Sequence, residues 1–285
     1  MKTTILSLSA VAGLCGVFAQ PISDSPAQPP DQTLELDTRN VGTFFNFRKD
    51  NSTISSVPYG ELIENCADEG QIAVTLDDGP SQYTKRVLEE FSKYEKDGFK
   101  ATFFVTGGNM CPITDTECTD IMRSAVKAGH QIASHTWRHE DLDAASTEGR
   151  AETMDKNKEA LAKALDMDGR APTYMRPPYG ACSEGSGCLR DLGDMGYHVV
   201  NWNIDTADWQ HCDEEDRCQT SVELFDAQFD GESKTGYNVL THDIKEYTAS
   251  VLIPHILRRA KEANYKVVTV GECLNDPKEN WYKRW

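Results

Sequence analysis

Five short clusters of ionisable residues stand out in this 285-residue chain, because each directly follows a run of apolar, β-forming residues. Taken singly, each has a simple structural interpretation; Asp-Asp-Gly-Pro, for example, makes a good turn. Their recurrence at successive predicted strand ends favours a function, since structural residues are not expected to cluster in this way. The clusters are Asp77-Asp78, His135 with His139, Arg176, Asp205 with Asp208, and His242.

The two histidines of the second cluster predict a metal site with open positions. His135 and His139 are four residues apart, so both imidazoles can point at one ion, and one carboxylate of the Asp77-Asp78 pair would complete the set. Two imidazoles and a carboxylate suit Zn²⁺ or another divalent transition ion such as Co²⁺. Such an ion polarises a carbonyl and makes hydroxide available near neutral pH.

The remaining groups can supply acid–base chemistry. The carboxylate that does not bind the ion is free to act as a general base, and His242 titrates in the range of a general acid. Backbone N–H groups beside the ion can hold an oxyanion. The sequence has no phosphate-cradling Gly-rich loop and no Gly-x-Ser-x-Gly elbow, which argues against nucleotide chemistry and a serine esterase. Because an amine leaves poorly unless protonated, the pattern favours amide hydrolysis.

Parallel strands are needed to bring these clusters together. From Gln71 onward, short apolar runs alternate with helix-like stretches, which predicts a parallel sheet covered by helices. Seven or eight such strands fit a distorted (β/α) barrel, whose active sites lie at the strands' carboxyl ends; an open doubly wound sheet is the alternative. The predicted strands are residues 72–76, 101–105, 131–133, 173–175, 198–202, 238–240 and 266–270, and the clearest helices are 83–96, 147–165 and 250–263.

The five motifs, in this order, resemble those of the polysaccharide deacetylases of carbohydrate esterase family 4, which share the NodB-homology domain. Within that family the chain looks most like the fungal chitin deacetylases, over roughly residues 56–285. Val57-Pro58-Tyr59-Gly60 and Gly271-Glu272-Cys273-Leu274 also look like the ends of fungal members. One departure is Leu76, where the family usually has Phe or Tyr; we expect altered packing under the loop and intact chemistry.

The resemblance implies roles for the residues of the first three motifs. Asp77 would be the catalytic base, and Asp78 would bind the metal together with His135 and His139. Arg176 would hold and orient Asp77. The implied cofactor is one divalent transition-metal ion, Zn²⁺ or Co²⁺.

The resemblance also implies roles for the residues that contact the substrate. Tyr179 would give its backbone N–H to the oxyanion, and Trp209 would line the sugar site. His242 would be the general acid. Either Asp205 or Asp208 would orient His242 and tune its pKa, and Asp205 is the preferred candidate.

The function that follows is removal of N-acetyl groups from chitin or chito-oligosaccharides. An acetylxylan esterase or a peptidoglycan deacetylase is the alternative, since the same metal and base would serve them. An ester's leaving alcohol depends less on a general acid, so the acid pair favours an amide. A non-catalytic chitin-binding protein is a remote alternative, because such a lineage should have lost a ligand or the base.

The first residues are typical of a secretory signal peptide. Lys2 supplies a positive start, residues 5–17 are mostly apolar, and Ala19 ends a plausible cleavage site. The apolar run is too short to span a bilayer. We therefore expect a signal peptide over residues 1–19 and a protein exported to the extracellular space or cell wall, without a membrane partner.

Residues 20–55 are rich in Pro, Ser, Asp and Gln, which predicts a flexible leader or pro-segment before a single catalytic domain at 56–285. Asn51 begins a glycosylation sequon. The formal net charge of −17 repels nucleic acid and anionic membranes. It tolerates a neutral polymer and favours one that becomes cationic.

Cysteine usage also indicates an exported protein. Of nine cysteines, Cys15 lies in the predicted signal, and the even remainder suggests disulfides. Reduced thiols or a zinc cluster are the alternatives, but no CxxC pair occurs, which argues against structural zinc. Six cysteines form near-neighbour pairs, and the resemblance supports a clasp between the outer two. The pairs are Cys111/Cys118, Cys182/Cys188, Cys212/Cys218 and Cys66/Cys273.

Overall fold

The computed structural model describes residues 56–285. The predicted signal peptide, the predicted leader, Cys15 and the Asn51 sequon lie outside the described residues. None of the helices within 56–285 has the length and apolar character that a bilayer span requires.

The strands are β1 Leu62–Ile63, β2 Gln71–Asp77, β3 Thr102–Val105, β4 Gln131–Ser134, β5 Arg170–Pro172, β6 Tyr174–Met175, β7 His198–Val200, β8 Ile204–Asp205, β9 Tyr237–His242, β10 Lys266–Val268 and β11 Tyr282–Arg284.

Nine of these strands form one parallel sheet, in the order β1-β7-β6-β4-β3-β2-β9-β8, with β10 paired to the first residues of β2. This sheet confirms the predicted distorted (β/α) barrel and contains all seven predicted strands. The two-residue strands β1 and β8 bring the number to nine, above the predicted seven or eight. Both lie outside the predicted apolar runs, and their pairing with β7 and β9 depends on tertiary packing.

Helices cover the outside of the sheet, and three of them match the predicted stretches closely. Helix α3 has the predicted bounds, and the Ser146 side chain caps it by accepting a hydrogen bond from the N–H of Gly149. The predicted helix at 250–263 begins with a π-helical turn, Thr248–Leu252, that continues into α7. The helices are α1 Thr84–Ser92, α2 Thr116–Lys127, α3 Thr147–Leu165, α4 Cys188–Asp194, α5 Asp208–His211, α6 Glu215–Gln228, α7 Ile253–Glu262 and α8 Val270–Cys273.

The residues of strand β2 point alternately toward the helices outside the sheet and toward the interior of the barrel. Alternate residues of a strand point to opposite faces, and Leu76 belongs to the apolar cluster that includes Val87 and Phe91 of α1. Ala73 belongs to a second cluster, with Phe104 of β3. Asp77 lies on the same side of the strand as Ala73, so it projects into the barrel, whereas Leu76 packs beneath the helices.

The segment after β10 contacts earlier parts of the described chain. Strand β11 pairs antiparallel with β5 in a separate two-stranded sheet, and the N–H of Ala67 donates to the carbonyl of Cys273 at 2.9 Å. The structure forms all four predicted disulfides, including the Cys66–Cys273 clasp across 207 residues of sequence. The three short-range bridges are Cys111–Cys118, Cys182–Cys188 and Cys212–Cys218.

Candidate active site

The loops after the carboxyl ends of the strands surround one cavity of about 390 Å³. Residues from all five predicted clusters contribute to this region, with Arg176 completely buried beneath it. The cavity is therefore the place where the sequence-predicted residues meet. Its lining residues are Asp77, Asp78, His135, His139, Pro177, Tyr179, Trp202, Asp205, Trp209, Leu240 and His242.

Asp78, His135 and His139 form a compact set of potential metal ligands. The Asp78 Oδ1 atom lies 3.4 Å from His135 Nε2 and 3.3 Å from His139 Nε2, and the three ligand atoms lie within 4.8 Å of one another. Within residues 56–285, Asp78 Oδ1 is buried and accepts no hydrogen bond. An unsatisfied buried carboxylate oxygen beside two imidazole nitrogens fits a divalent transition ion.

The protonation pattern of the two histidines also fits a metal. His135 Nδ1 lies 2.8 Å from the backbone oxygen of Arg176; since a carbonyl only accepts, Nδ1 carries the proton and Nε2 keeps its lone pair. Burial and the nearby His135 lower the pKa of His139, although Asp78 and Asp77 oppose this. Metal binds the neutral form of imidazole, and the Nε2 atoms of both rings lie beside Asp78 Oδ1.

The charge of Asp78 completes that pattern. Burial by itself raises the pKa of Asp78, but the adjacent His135, together with His242 and His139, lowers it to about 2. The carboxylate is thus ionised at neutral pH, as a ligand must be.

The loops hold these ligands in unusual backbone conformations. Asp78, Thr136 and His139 have φ values of 74°, 65° and 65°, in the left-handed region that non-glycine residues rarely adopt. Thr106 Oγ1 donates to the Asp78 carbonyl at 2.9 Å and so helps to hold that residue in its conformation. Such backbone strain is concentrated at functional sites, where it aims side chains that a regular strand would point elsewhere.

Arg176 holds Asp77 next to the metal ligands. Its Nη1 donates to Asp77 Oδ1 at 2.8 Å and to Thr75 Oγ1 at 2.6 Å, its Nη2 donates to the carbonyl of Asn201 at 2.9 Å, and its guanidinium lies over the ring of Phe104 at 4.2 Å. Burial lowers the pKa of Arg176, and the ion pair with Asp77 raises it. The predicted contact between Arg176 and Asp77 is present, and it leaves Asp77 Oδ2 facing His135 at 3.9 Å.

Asp208, and not Asp205, contacts His242. Asp208 Oδ1 lies 2.7 Å from His242 Nδ1, and Oδ2 accepts from the His242 backbone N–H at 2.7 Å. The side chain of Asp205 instead accepts from the N–H of Ala207 at 2.8 Å. The prediction that Asp205 orients His242 is therefore wrong: Asp205 ends β8 and caps a turn, while Asp208, the first residue of α5, faces the end of β9.

The Asp208 contact determines the electrostatics of His242. Burial alone would lower the pKa of His242, but the charge and hydrogen bond of Asp208, together with the charges of Asp77 and Asp78, raise it to about 9. Thr248 Oγ1 donates to Asp208 Oδ2 at 2.7 Å, which fixes the carboxylate. Because Nδ1 donates to Asp208, Nε2 is the atom of His242 that can give a proton elsewhere.

Aromatic side chains form an exposed wall of the cavity. Trp209 is 51% exposed and Tyr179 is 71% exposed; the Tyr179 ring makes an edge contact with His139, with 4.5 Å between ring centroids. Tyr179 has φ 61°, which turns the chain after Arg-Pro-Pro. Exposed aromatic faces beside a polar centre suit an amphipathic ligand such as a sugar.

Comparison with known proteins places this site in a family. Residues 64–200 match the family model described as polysaccharide deacetylase. A chitin deacetylase of Colletotrichum lindemuthianum is 37% identical over 228 residues, which cover 80% of this chain and 88% of that protein. The chain belongs to the polysaccharide deacetylase family. The structure of the Colletotrichum lindemuthianum chitin deacetylase superposes on this chain with a TM-score of 0.75. The match covers 80% of this chain and 98% of the Colletotrichum lindemuthianum chain.

Another relative is substantially longer than the matched region. A protein of Arthroderma benhamiae named as a probable peptidoglycan-N-acetylglucosamine deacetylase is 41% identical over 227 residues, which cover 80% of this chain and 49% of that protein. This chain thus spans about half the length of that relative, and most of the length of the Colletotrichum lindemuthianum enzyme.

Sequence reasoning about this deacetylase-family domain missed two residues. Trp202 lies on the cavity wall, and an aromatic residue three positions before Asp205, at a predicted strand end, could have indicated it. Asp243 follows His242 and is completely buried; burial, opposed by a hydrogen bond from Thr84, raises its pKa to about 7. An acidic residue in a polar loop motif gives no sign of burial in the sequence.

Proposed function

We propose that this chain is a metal-dependent hydrolase that removes N-acetyl groups from chitin or chito-oligosaccharides. The observation that carries the proposal is the cavity in which Arg176-bound Asp77 adjoins the ligand set, with His242 on the neighbouring strand. In the β2–β9 register Asp77 and His242 are direct partners, so a strand spacing of about 5 Å separates their backbones. One acetamide can reach both side chains at that spacing.

Asp78, His135 and His139 would hold the metal, with Zn²⁺ or Co²⁺ as the ions that suit two imidazoles and a carboxylate. When bound, the ion would supply Lewis acidity toward the acetamide carbonyl and water. The three residues leave coordination positions open, because the described chain brings no fourth His, Cys or carboxylate into the ligand set.

Asp77 and His242 perform the proton transfers in this proposal. Asp77 takes the proton of the attacking water as general base, and the hydrogen bond from Arg176 orients its carboxylate. His242, protonated through its pairing with Asp208, gives a proton to the leaving nitrogen. The backbone N–H of Tyr179 is our proposed donor to the developing oxyanion.

The substrate assignment depends on the cavity wall and on relatives. Trp209 and Trp202 offer aromatic faces on which sugar rings can stack, and the formal net charge of −17 favours a polymer that is neutral or becomes cationic. The Colletotrichum lindemuthianum relative carries the name chitin deacetylase. Peptidoglycan is the second candidate, because the 41% identical relative is named for it.

Acetate release from defined substrates tests the proposal. We expect chito-oligosaccharides to lose 42 Da per acetyl group by mass spectrometry, a value that follows from replacing acetyl by hydrogen, while acetylated xylan and peptidoglycan react more slowly. Chelator treatment with verified metal removal should abolish the activity, and added Zn²⁺ or Co²⁺ should restore it. Faster reaction of peptidoglycan would select the second candidate, and unchanged rates after metal removal would contradict metal dependence.

We also infer that the protein is exported, with residues 1–19 as the signal peptide, residues 20–55 as a leader and Asn51 as a glycosylation site. Four disulfides within residues 56–285 support an oxidising compartment. Intact-mass analysis of protein secreted by a eukaryotic host should show a chain that begins at Gln20 or later. Retention of the intact protein in the cytosol would contradict export.

A further inference from the structure

The side chain of Asp243 is completely buried between the end of β9 and the loop that follows β2. Its Oδ2 accepts a hydrogen bond from Thr84 Oγ1 at 2.5 Å, and Thr84 Oγ1 accepts one from the N–H of Ser81 at 2.8 Å. Ser81 Oγ in turn donates to the backbone carbonyl of Asp243 at 2.5 Å. These bonds form a closed ring that joins the loop to the segment directly after His242.

The same carboxylate also packs against Gly79, the residue that follows Asp78. A Cβ atom built on Gly79 would overlap both carboxylate oxygens of Asp243. The φ angle of Gly79 is not in the left-handed region, so backbone freedom does not explain a glycine here. Close approach of the Asp243 carboxylate does explain it.

One oxygen of this carboxylate is unsatisfied. Within residues 56–285, Asp243 Oδ1 accepts no hydrogen bond although it is buried. Burial of an unpaired polar atom destabilises the folded state. A residue chosen only for stability would be apolar at such a position, so the carboxylate is retained for the contacts that it makes with the loop.

We propose that Asp243 is a positioning residue that sets the distance between the β2 loop, which carries Asp77 and Asp78, and the end of β9, which carries His242. This inference rests on the proposed function, which assigns the base, a metal ligand and the acid to those two segments. Asp243 neither lines the cavity nor belongs to the set of potential metal ligands. It acts through Gly79, Ser81 and Thr84, which are continuous with the Asp-Asp pair.

The position of that loop matters because base, ligand and acid must act on one acetamide. A displacement of about 1 Å at a reacting group can cost about 100-fold in rate. The second shell around a metal ligand also contributes about 10- to 100-fold to metal affinity. Loss of the Asp243 contacts should therefore lower both kcat and the affinity for metal. Contacts between the protein and sugar units away from the reacting acetamide should remain, so KM should change little.

The test compares Asp243→Ala and Asp243→Asn with the wild-type chain. For Asp243→Ala we expect kcat to fall about 100-fold, KM to change less than about threefold, and the Kd for Zn²⁺ to rise about tenfold in a chelator competition. Asp243→Asn keeps the volume and the acceptor for Thr84, so it should restore kcat to within about fivefold of wild type.

Asp191→Ala is the matched control. Asp191 is equally a buried aspartate, and it pairs with Arg150 at 2.7 Å in the α3–α4 region, away from the cavity. It should lower the melting temperature while kcat and Zn²⁺ affinity stay within about twofold of wild type. If Asp243→Ala behaves like this control in all three measurements, Asp243 is only structural and the inference is wrong.

Two further variants keep the test decisive if Asp243→Ala does not fold. Thr84→Val removes the bridging hydroxyl and should lower kcat in the same direction, by about tenfold. Gly79→Ala should lower kcat by forcing the loop away, and adding Asp243→Ala to it should cause little further loss, because both changes break one contact. Fully additive losses would contradict the inference.

A wild-type protein that deacetylates no substrate would overturn the proposed function, while the Zn²⁺ affinities would still test Asp243.

Discussion

Asp208 binds His242 at two points: one carboxylate oxygen lies 2.7 Å from the imidazole Nδ1, and the other accepts from the His242 backbone N–H at 2.7 Å. The carboxylate is fully buried and is itself fixed by Thr248. This bidentate contact both orients the ring and stabilises its protonated form. It also separates the roles of two aspartates that stand only three positions apart in the sequence.

That separation predicts a difference in pH dependence. With Asp208 present, the pKa of His242 is raised to about 9, so the acid is protonated below that pH and lost above it. In Asp208→Asn, burial dominates and the pKa of His242 falls, so the alkaline limb of kcat should move to lower pH. Asp205→Asn should leave that limb unchanged, because its carboxylate contacts Ala207 and not His242.

An NMR titration of the His242 imidazole in metal-free protein would measure the same quantity directly. We expect a high pKa in the wild-type chain and in Asp205→Asn, and a lower one in Asp208→Asn. An alkaline limb that moves in Asp205→Asn and stays in place in Asp208→Asn would reverse our assignment of the two aspartates.

Asp77→Asn should separate catalysis from metal binding. The amide cannot take a proton from water, so kcat should fall about 10²- to 10⁴-fold, while the Kd for Zn²⁺ changes less than about threefold because Asp77 is outside the ligand set. Asp78→Asn is the matched control, since it weakens a ligand and should raise the Zn²⁺ Kd strongly. Calorimetric or chelator-competition titration of both variants checks this. Full activity in Asp77→Asn would remove Asp77 from the role of base.

The fold was largely predictable from sequence, because the pattern of apolar and polar residues within each segment indicates a strand and its carboxyl end. Strand β2 is apolar over most of its length and ends in Asp77, so both its existence and its carboxyl-terminal polarity are visible in the residues themselves. The barrel follows from repetition of that pattern. Strands β1 and β8 were not predicted, because neither lies in an apolar run that stands out in the sequence and both form by tertiary pairing with longer strands.

The site was predictable in composition but not in its pairings. The sequence places Asp205 and Asp208 close together, but it does not show which carboxylate faces His242. In the structure the chain turns between them at Ala207, with φ 48°, and Asp208 makes the contact. The burial of Asp243 could not be predicted from the sequence either, because it depends on the close approach of Gly79 from another loop. Residue types and the order of the strands can be read from the sequence. Contacts between loops that are distant in sequence depend on the folded structure.

Trp209→Ala should weaken substrate binding more than it slows chemistry. The side chain is half exposed on the cavity wall and makes no hydrogen bond with the proton-transfer residues. Loss of one sugar–aromatic contact should raise KM for a chito-oligosaccharide about tenfold, by analogy with stacking energies of about 1–3 kcal/mol, and leave kcat within about threefold. Steady-state kinetics on a tetramer give both values. A large fall in kcat at constant KM would show that Trp209 acts on the reacting group instead.

Removal of the Cys66–Cys273 clasp should destabilise the fold more than removal of a short-range bridge. In the chain-entropy account, a cross-link spanning 207 residues stabilises by about 5 kcal/mol and one spanning 6 residues by about 2 kcal/mol. Cys182–Cys188 is the matched control, because both cysteines of each bridge are buried. Guanidinium unfolding of the two double Cys→Ser variants gives the comparison. Equal losses of unfolding free energy would mean that native contacts around each bridge, rather than loop length, determine its contribution.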